Sequence, residues 1–213
     1  MLVSALLYLA VAITLVAQDQ QQSLPLRRTV SGQTITSADT PKVKVTVAPE
    51  FRYIGGDRFN LYDVAEAELH LFVEADSNKR VKRLYWVQFE GYLPTNNHTY
   101  NYKGESTQLG GLSFFTDVRL RPGTVEAPPN SDGGHAMALL EKNGYSVEGD
   151  PIRERLIHLP GEDRRNELMI IYMEFVPVGT AAEMGTELSS NPRWNEMLSR
   201  VRKHARESLT VAP

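Results

Sequence analysis

The chain of 213 residues contains no cysteine. Disulfide bonds, iron–sulfur clusters, zinc sites built from thiolates and cysteine nucleophiles are therefore excluded. Without covalent crosslinks the core must be stabilised by packing alone. A hydrophobic content of 41% and a charged content of 23% are typical of a globular protein with one domain of ordinary size.

Concentrated positive charge is also lacking, because 23 basic residues stand against 26 acidic ones and the net charge is −3. Nucleic-acid binding depends on clustered Lys and Arg, so no nucleic-acid partner is expected. Common catalytic signatures are missing as well: there is no Gly-x-Ser-x-Gly elbow, no Ser-x-x-Lys motif and no phosphate loop. The five histidines form no His-x-x-x-His pair, so neither a metal ion nor a cofactor is expected.

The first 17 residues form an uncharged apolar run that ends at the polar tract QDQQQS. This pattern predicts a signal peptide. No basic residue precedes the run, and Leu15 stands where cleavage after Ala17 would favour a small residue, so an uncleaved membrane anchor stays open. A run of 17 residues is close to the roughly 20 that a bilayer requires. We expect an exported protein, periplasmic or extracellular, that contacts a membrane only through residues 1–17 if they are retained.

Residues 18–41 are polar and lack periodicity, which predicts a flexible linker before a single globular domain at 42–213. The domain is rich in strand patterns, with predicted strands at 42–47, 65–73, 80–92, 112–120, 152–159 and 167–176. A short helix is predicted after Ser131 or Asp132, and an amphipathic C-terminal helix at Pro192 with Asn191 as its cap. The expected fold is α+β, a mainly antiparallel sheet with both helices on one face.

The stretch Gly55-Gly56-Asp57-Arg58-Phe59 differs at one position from the Gly-Gly-Asp-Glu-Phe signature of diguanylate cyclases. Arg58 replaces the carboxylate that such a site needs, and only a linker and one strand precede the motif. A cyclase is therefore excluded. We predict instead a tight turn at Gly55-Gly56 between two strands, because glycine adopts positive φ without strain.

Acidic residues and a histidine alternate with apolar residues along the predicted strand at 65–73. Glu66, Glu68, His70 and Glu74 fall on one side of it and Leu69, Leu71 and Val73 on the other. Solvent exposure is the expected state of the polar side. Carboxylates beside an imidazole can also bind a metal or transfer protons, so Glu66, Glu68 and His70 are the candidate catalytic residues.

Aromatic residues concentrate between positions 85 and 115. The candidate ligand-binding residues among them and the neighbouring loop are Trp86, Tyr92, His98, Tyr100, Tyr102 and Phe115. Tight packing of both sheet faces would equally explain such side chains. If they face a loop at 93–111, they would line a pocket.

Three functions are consistent with these patterns. The first is a non-enzymatic exported binding module for a small apolar or aromatic ligand or for a partner protein. A metal-assisted hydrolase that uses the Glu66, Glu68 and His70 side chains is the second. The third is a structural or assembly factor of the cell envelope.

Overall fold

The computed structural model describes residues 24–185 and 188–213. The predicted signal peptide at 1–17, with residues 18–23 of the predicted linker, lies outside them. The strands are β1 Thr29–Ser31, β2 Thr34–Ser37, β3 Val43–Val47, β4 Arg52–Leu61, β5 Ala65–Ala75, β6 Val81–Tyr92, β7 Glu105–Leu109, β8 Leu112–Leu120, β9 Asp150–His158, β10 Asn166–Val176 and β11 Leu209–Ala212. The helices are α1 Asp132–Lys142, α2 Thr180–Met184 and α3 Pro192–Glu207, with a 3₁₀ turn at Leu188–Ser190.

Two antiparallel sheets dominate the fold. The small sheet has the order β1-β2-β3-β11, and the large sheet has the order β4-β5-β6-β10-β9-β8-β7. Strands hold 45% and helices 19% of the described residues, so the fold is mainly β rather than a balanced α+β. The antiparallel sheet and the C-terminal helix agree with the sequence-based expectation, and β10 lies at the centre of the large sheet as its apolar sequence indicates.

The predicted flexible linker is wrong for the part that the structure describes. Residues within 24–41 form β1 and β2, and Ile35 of β2 pairs with Val45 of β3 and is fully buried. The C-terminal β11 completes this sheet on the other edge of β3. The small sheet is therefore built from the two ends of the described chain. Its strands β1, β2 and β11 are too short and too weakly periodic for the sequence to predict the sheet.

The two helices pack on opposite faces of the large sheet, not on one face. Trp194, Val201 and Ala205 of α3 join the small sheet in one hydrophobic core, and Ala136 and Leu139 of α1 belong to a second core on the other face. Their predicted caps are confirmed. The Ser131 side chain accepts a hydrogen bond at the start of α1, and Asn191 does so before Pro192 at the start of α3.

Alternation and an odd-length loop predict that Leu71 lies opposite Tyr85 and Glu74 opposite Lys82, but the hairpin of β5 and β6 has a register one residue away from this. Its five-residue loop, 76–80, has the expected odd length, and Ala75 pairs with Val81. A β-bulge then shifts the register, so that Glu74 pairs with Arg83 and not with Lys82. The shift puts Leu71 opposite Trp86, on the face that α1 covers.

Gly55 and Gly56 do not form a turn. They lie inside β4, where the register shifts between Tyr53 and Gly55, and Gly55 has φ of +132°. A Cβ atom at Gly56 would approach the His70 Nδ1 atom to 2.8 Å. Glycine is therefore required by a bulge and a close side-chain approach rather than by chain reversal.

Each basic residue of α3 forms an ion pair with a carboxylate. The pairs are Arg193–Glu183, Arg200–Glu174, Arg202–Glu105, Lys203–Glu207, His204–Glu174 and Arg206–Glu154. Much of the basic face of this helix is thus neutralised within the protein. Within 24–185 and 188–213, no helix combines the length and apolar character needed to cross a bilayer.

Candidate functional site

The Glu66, Glu68 and His70 side chains do not form an exposed polar row. Glu68 is 1% exposed and His70 is 0% exposed, because the small sheet and the N-terminal segment cover this face of β5. The prediction of a solvated face is therefore wrong. Glu66 is the outermost of the three, and its carboxylate forms ion pairs with Arg58 and Arg27.

Hydrogen bonds fully engage the Glu68 carboxylate. It accepts from the backbone N–H groups of Arg27 and Arg28, both at 2.9 Å, from the Arg28 guanidinium and from His70 Nε2. The other ring nitrogen, Nδ1, lies 3.0 Å from the Tyr53 hydroxyl. Burial alone would raise the pKa of Glu68, but the hydrogen bonds from His70 and the two backbone groups lower it to about 2. This arrangement attaches the N-terminal segment to β5.

Carboxylates and histidines nowhere form a group of three suited to a metal ion within the described part of the chain. His135 has a different partner, since its Nδ1 lies 2.7 Å from Asp57 Oδ2 and its ring stacks on Phe59 at 3.6 Å. This pair joins α1 to β4. His135 therefore takes part in a helix–sheet contact.

Five of the six predicted ligand-binding residues lie next to one another. In a continuous row His98 contacts Tyr92 at 5.6 Å between ring centroids, Tyr92 stacks on Tyr100 at 4.5 Å, Tyr100 on Tyr102 at 6.0 Å, and Tyr102 contacts Phe115 at 6.2 Å. The rings pack against each other and leave Tyr100 only 6% exposed. The row thus fills the space beneath the 93–104 loop.

One buried and one half-buried carboxylate lie under this row. Glu90 and Glu167 are register partners on β6 and β10, and they accept hydrogen bonds from the Tyr100 and Tyr102 hydroxyls, each at 2.7 Å. Burial raises the pKa of Glu90, and burial together with the Glu90 charge raises the pKa of Glu167 to about 8. The sequence suggested that Glu90 would join the face of Glu66 and Glu68 from the neighbouring strand, but Glu90 pairs with Ala67 and lies on the opposite face. Glu167 carried no sequence signal, since a single Glu at a strand end is normally solvated.

A hydrogen-bond chain connects this pair to the sixth predicted residue. Trp86 Nε1 donates to Gln88 at 2.9 Å, and the Gln88 amide donates to Glu90 at 2.7 Å. Trp86 itself lies away from the aromatic row, where it is 6% exposed at the floor of an open cleft.

This cleft, which we call the Trp86 cleft, lies between α1, the large sheet and the 122–127 loop and has a volume of about 530 Å³. Its wall is mainly apolar and includes Leu71, Leu84, Trp86, Leu140, Met173 and Phe175. Three of the six exposed large hydrophobic side chains of the described residues, Val125, Met137 and Val178, also line it. Exposed apolar surface concentrated at one concavity is a mark of a binding site.

A second cleft of about 600 Å³ lies beside the N-terminal segment. Its lining includes Arg28, Glu66, Glu68 and Glu90, whose charged groups are already bound to each other or to neighbouring side chains. A ligand there would have to displace existing ion pairs. The Trp86 cleft is therefore the better candidate, although the sequence predicted only Trp86 of its lining.

No protein-family model matches the chain, and neither the curated proteins nor the solved structures include one with significant similarity to it. The geometry of the described residues is consequently the basis for interpreting the site.

Proposed function

We propose that the protein is a non-enzymatic binding module that takes a small apolar or aromatic ligand in the Trp86 cleft. The observation that carries this proposal is the concentration of exposed apolar side chains around a concave apolar wall. Its volume of about 530 Å³ lies within the range of about 300–1,000 Å³ that is usual for ligand pockets. The indole of Trp86 offers a flat apolar surface for stacking.

The metal-assisted hydrolase is less well supported. A metal at Glu68 and His70 would have to displace the Arg28 guanidinium and two backbone N–H groups from the carboxylate. A partner protein that contacts the apolar rim of the cleft, including Val125 and Val178, is the alternative to a small ligand.

We further propose export, as the apolar segment 1–17 indicates. The mass of the denatured protein, expressed with its own N-terminus, distinguishes a cleaved signal peptide from a retained membrane anchor. Loss of residues 1–17 would indicate a cleaved signal peptide, and the full mass would favour a membrane anchor.

Binding of N-phenyl-1-naphthylamine, an uncharged apolar fluorophore, tests the ligand proposal. We expect the wild type to bind it with quenching of Trp86 emission. Because the chain has two tryptophans and Trp194 lies on the other face of the sheet, a Trp194→Phe background leaves Trp86 as the only reporter.

Met137→Glu should weaken this binding roughly tenfold, the equivalent of about 1.4 kcal/mol, because it puts a carboxylate at the cleft wall. Met137 is 45% exposed, so folding should tolerate the change. The matched control is Tyr62→Glu, an exposed position outside the cleft. Wild-type protein that fails to bind the probe would refute the small-ligand proposal and favour the protein partner.

A further inference from the structure

Arg153 contributes a cationic group to the mainly apolar Trp86 cleft. It lies on β9, where it pairs with Met173 of β10, and Met173 pairs in turn with Leu84 of β6. Two strand spacings and two residues along the strand separate Arg153 from Trp86. Strand geometry therefore puts their Cα atoms roughly 12 Å apart.

The Arg153 guanidinium forms no hydrogen bond or ion pair with another described residue, and its Nε atom is buried without a partner. Asp117, whose charge acts on Arg153, forms ion pairs with Arg155 at 2.5 Å and with Arg119 at 3.5 Å. Asp150 also lines the cleft, but its two oxygens accept from the backbone N–H groups of Gly123 and Ala181.

Positive charge is in excess around this end of the cleft. Burial and the charges of Arg121 and Arg155 lower the pKa of Arg153, and Asp117 opposes them. Glu126 is the remaining acidic residue of the lining, and it lies on the exposed 122–127 loop. A partly buried cation without a partner costs folding free energy, which an anionic ligand group would offset through charge-assisted hydrogen bonds.

We infer that the ligand of the Trp86 cleft is an apolar molecule with one acidic group, a carboxylate or sulfonate, which binds Arg153 while the apolar part lies on Trp86. This inference rests on the proposed function, because it specifies the chemistry of the ligand that the cleft takes.

Two fluorescent probes with the same aromatic rings test the inference directly. N-phenyl-1-naphthylamine is neutral, and 8-anilino-1-naphthalenesulfonate carries an acidic group. We expect the wild type to bind the sulfonate roughly tenfold more tightly or better, as hydrogen bonds to charged groups predict. Circular dichroism of each sample ensures that the protein is natively folded, since the sulfonate also binds partly folded states.

Arg153→Met should remove this preference by weakening the sulfonate roughly tenfold while leaving the neutral probe unchanged. Arg153→Lys should retain part of the preference, because it keeps the charge but loses the planar fork. The matched control is Arg119→Met, the register neighbour on β8, which is exposed and pairs with Asp117. The melting temperature of Arg153→Met should be unchanged or higher, since an unpaired cation is removed.

The outcomes separate the two proposals. Equal binding of both probes, with no effect of Arg153→Met, would overturn the acidic-ligand inference and leave the apolar cleft standing. Failure of both probes to bind the wild type would overturn the proposed function as well. A lower melting temperature for Arg153→Met, with unchanged binding of both probes, would assign Arg153 a structural role and refute the inference.

Discussion

The two faces of the large sheet bury their polar groups in different ways. On the face that the small sheet and α3 cover, three buried glutamates each pair with a cation or imidazole from the covering layer: Glu68 with Arg28, Glu154 with Arg206, and Glu174 with Arg200 and His204. On the face that α1 covers, Glu90 and Glu167 accept hydrogen bonds from tyrosines and an amide among the described residues. There the Arg153 cation has no such partner.

This difference indicates which face of the large sheet can bind a ligand. The ion-paired face is closed by a second sheet and a helix, and its charged groups stabilise the attachment of those layers. Among the described residues the other face is covered by α1 and loops, so an apolar cleft lined by the Arg153 side chain remains open there. The pKa of Glu68 is lowered and that of Glu167 is raised, which makes the contrast measurable.

The largest expected effect comes from breaking the ion-paired face at Glu68. Glu68→Gln preserves shape but removes the charge and points an amide donor at a site surrounded by donors, including Arg28 and His70. We expect a loss of about 3–5 kcal/mol in the free energy of unfolding, as for other buried ion pairs that lose one partner. Urea denaturation measures it.

Glu66→Gln is the matched control two residues away. Its carboxylate is 28% exposed and pairs with Arg58 and Arg27 at the surface, so the same substitution should cost less than about 1 kcal/mol. Equal losses at the two positions would contradict the view that the buried network, rather than charge along β5 in general, stabilises this face.

The sequence predicted most strands of the large sheet because alternation and apolar runs are local signals. The small sheet, which forms the second layer, was not predicted. The short strands β1, β2 and β11 have too few residues to show a period, so the small sheet was missed. Without that sheet, Glu68 and His70 had no covering layer, and their polar character was interpreted as solvent exposure.

The candidate site was predictable to a similar extent. Aromatic side chains marked the face that α1 and the 93–104 loop cover, because such residues alternate with the other core face of β6. The cleft depends instead on how α1 and the 122–127 loop cover β6, β9 and β10, which is a long-range property. The sequence assigned Met137 to the apolar side of the predicted helix, whereas it is 45% exposed, and nothing in the sequence distinguished Arg153. Only their common position at one cavity distinguishes the two residues.

A smaller effect, and one of opposite sign on the two faces, is expected from pH. For Glu167 the folded pKa of about 8 exceeds its unfolded value near 4.5, so the folded state binds more protons between these values and stability falls as pH rises through them. For Glu68 the folded pKa of about 2 lies below the unfolded value, so stability falls as pH decreases from about 4.5 towards 2.

Glu167→Gln should remove the loss of stability with rising pH. Glutamine resembles the protonated acid and can still accept from Tyr102, so the variant should match the wild type near pH 4.5 and exceed its stability at pH 7 by about 3 kcal/mol. Glu162→Gln, in the exposed β9–β10 loop, is the control and should follow the wild-type curve. Thermal and urea unfolding between pH 4.5 and 8.5 measure the difference.

Parallel curves for Glu167→Gln and wild type would mean that Glu167 is ionised in the folded protein, as Glu68 is, and the proposed contrast between the two faces would then be wrong. A stability advantage of the variant over the wild type that grows with rising pH would instead confirm that this face buries a neutral acid, because no cation of the described residues forms an ion pair with this carboxylate as Arg28 does with Glu68 on the other side of the sheet.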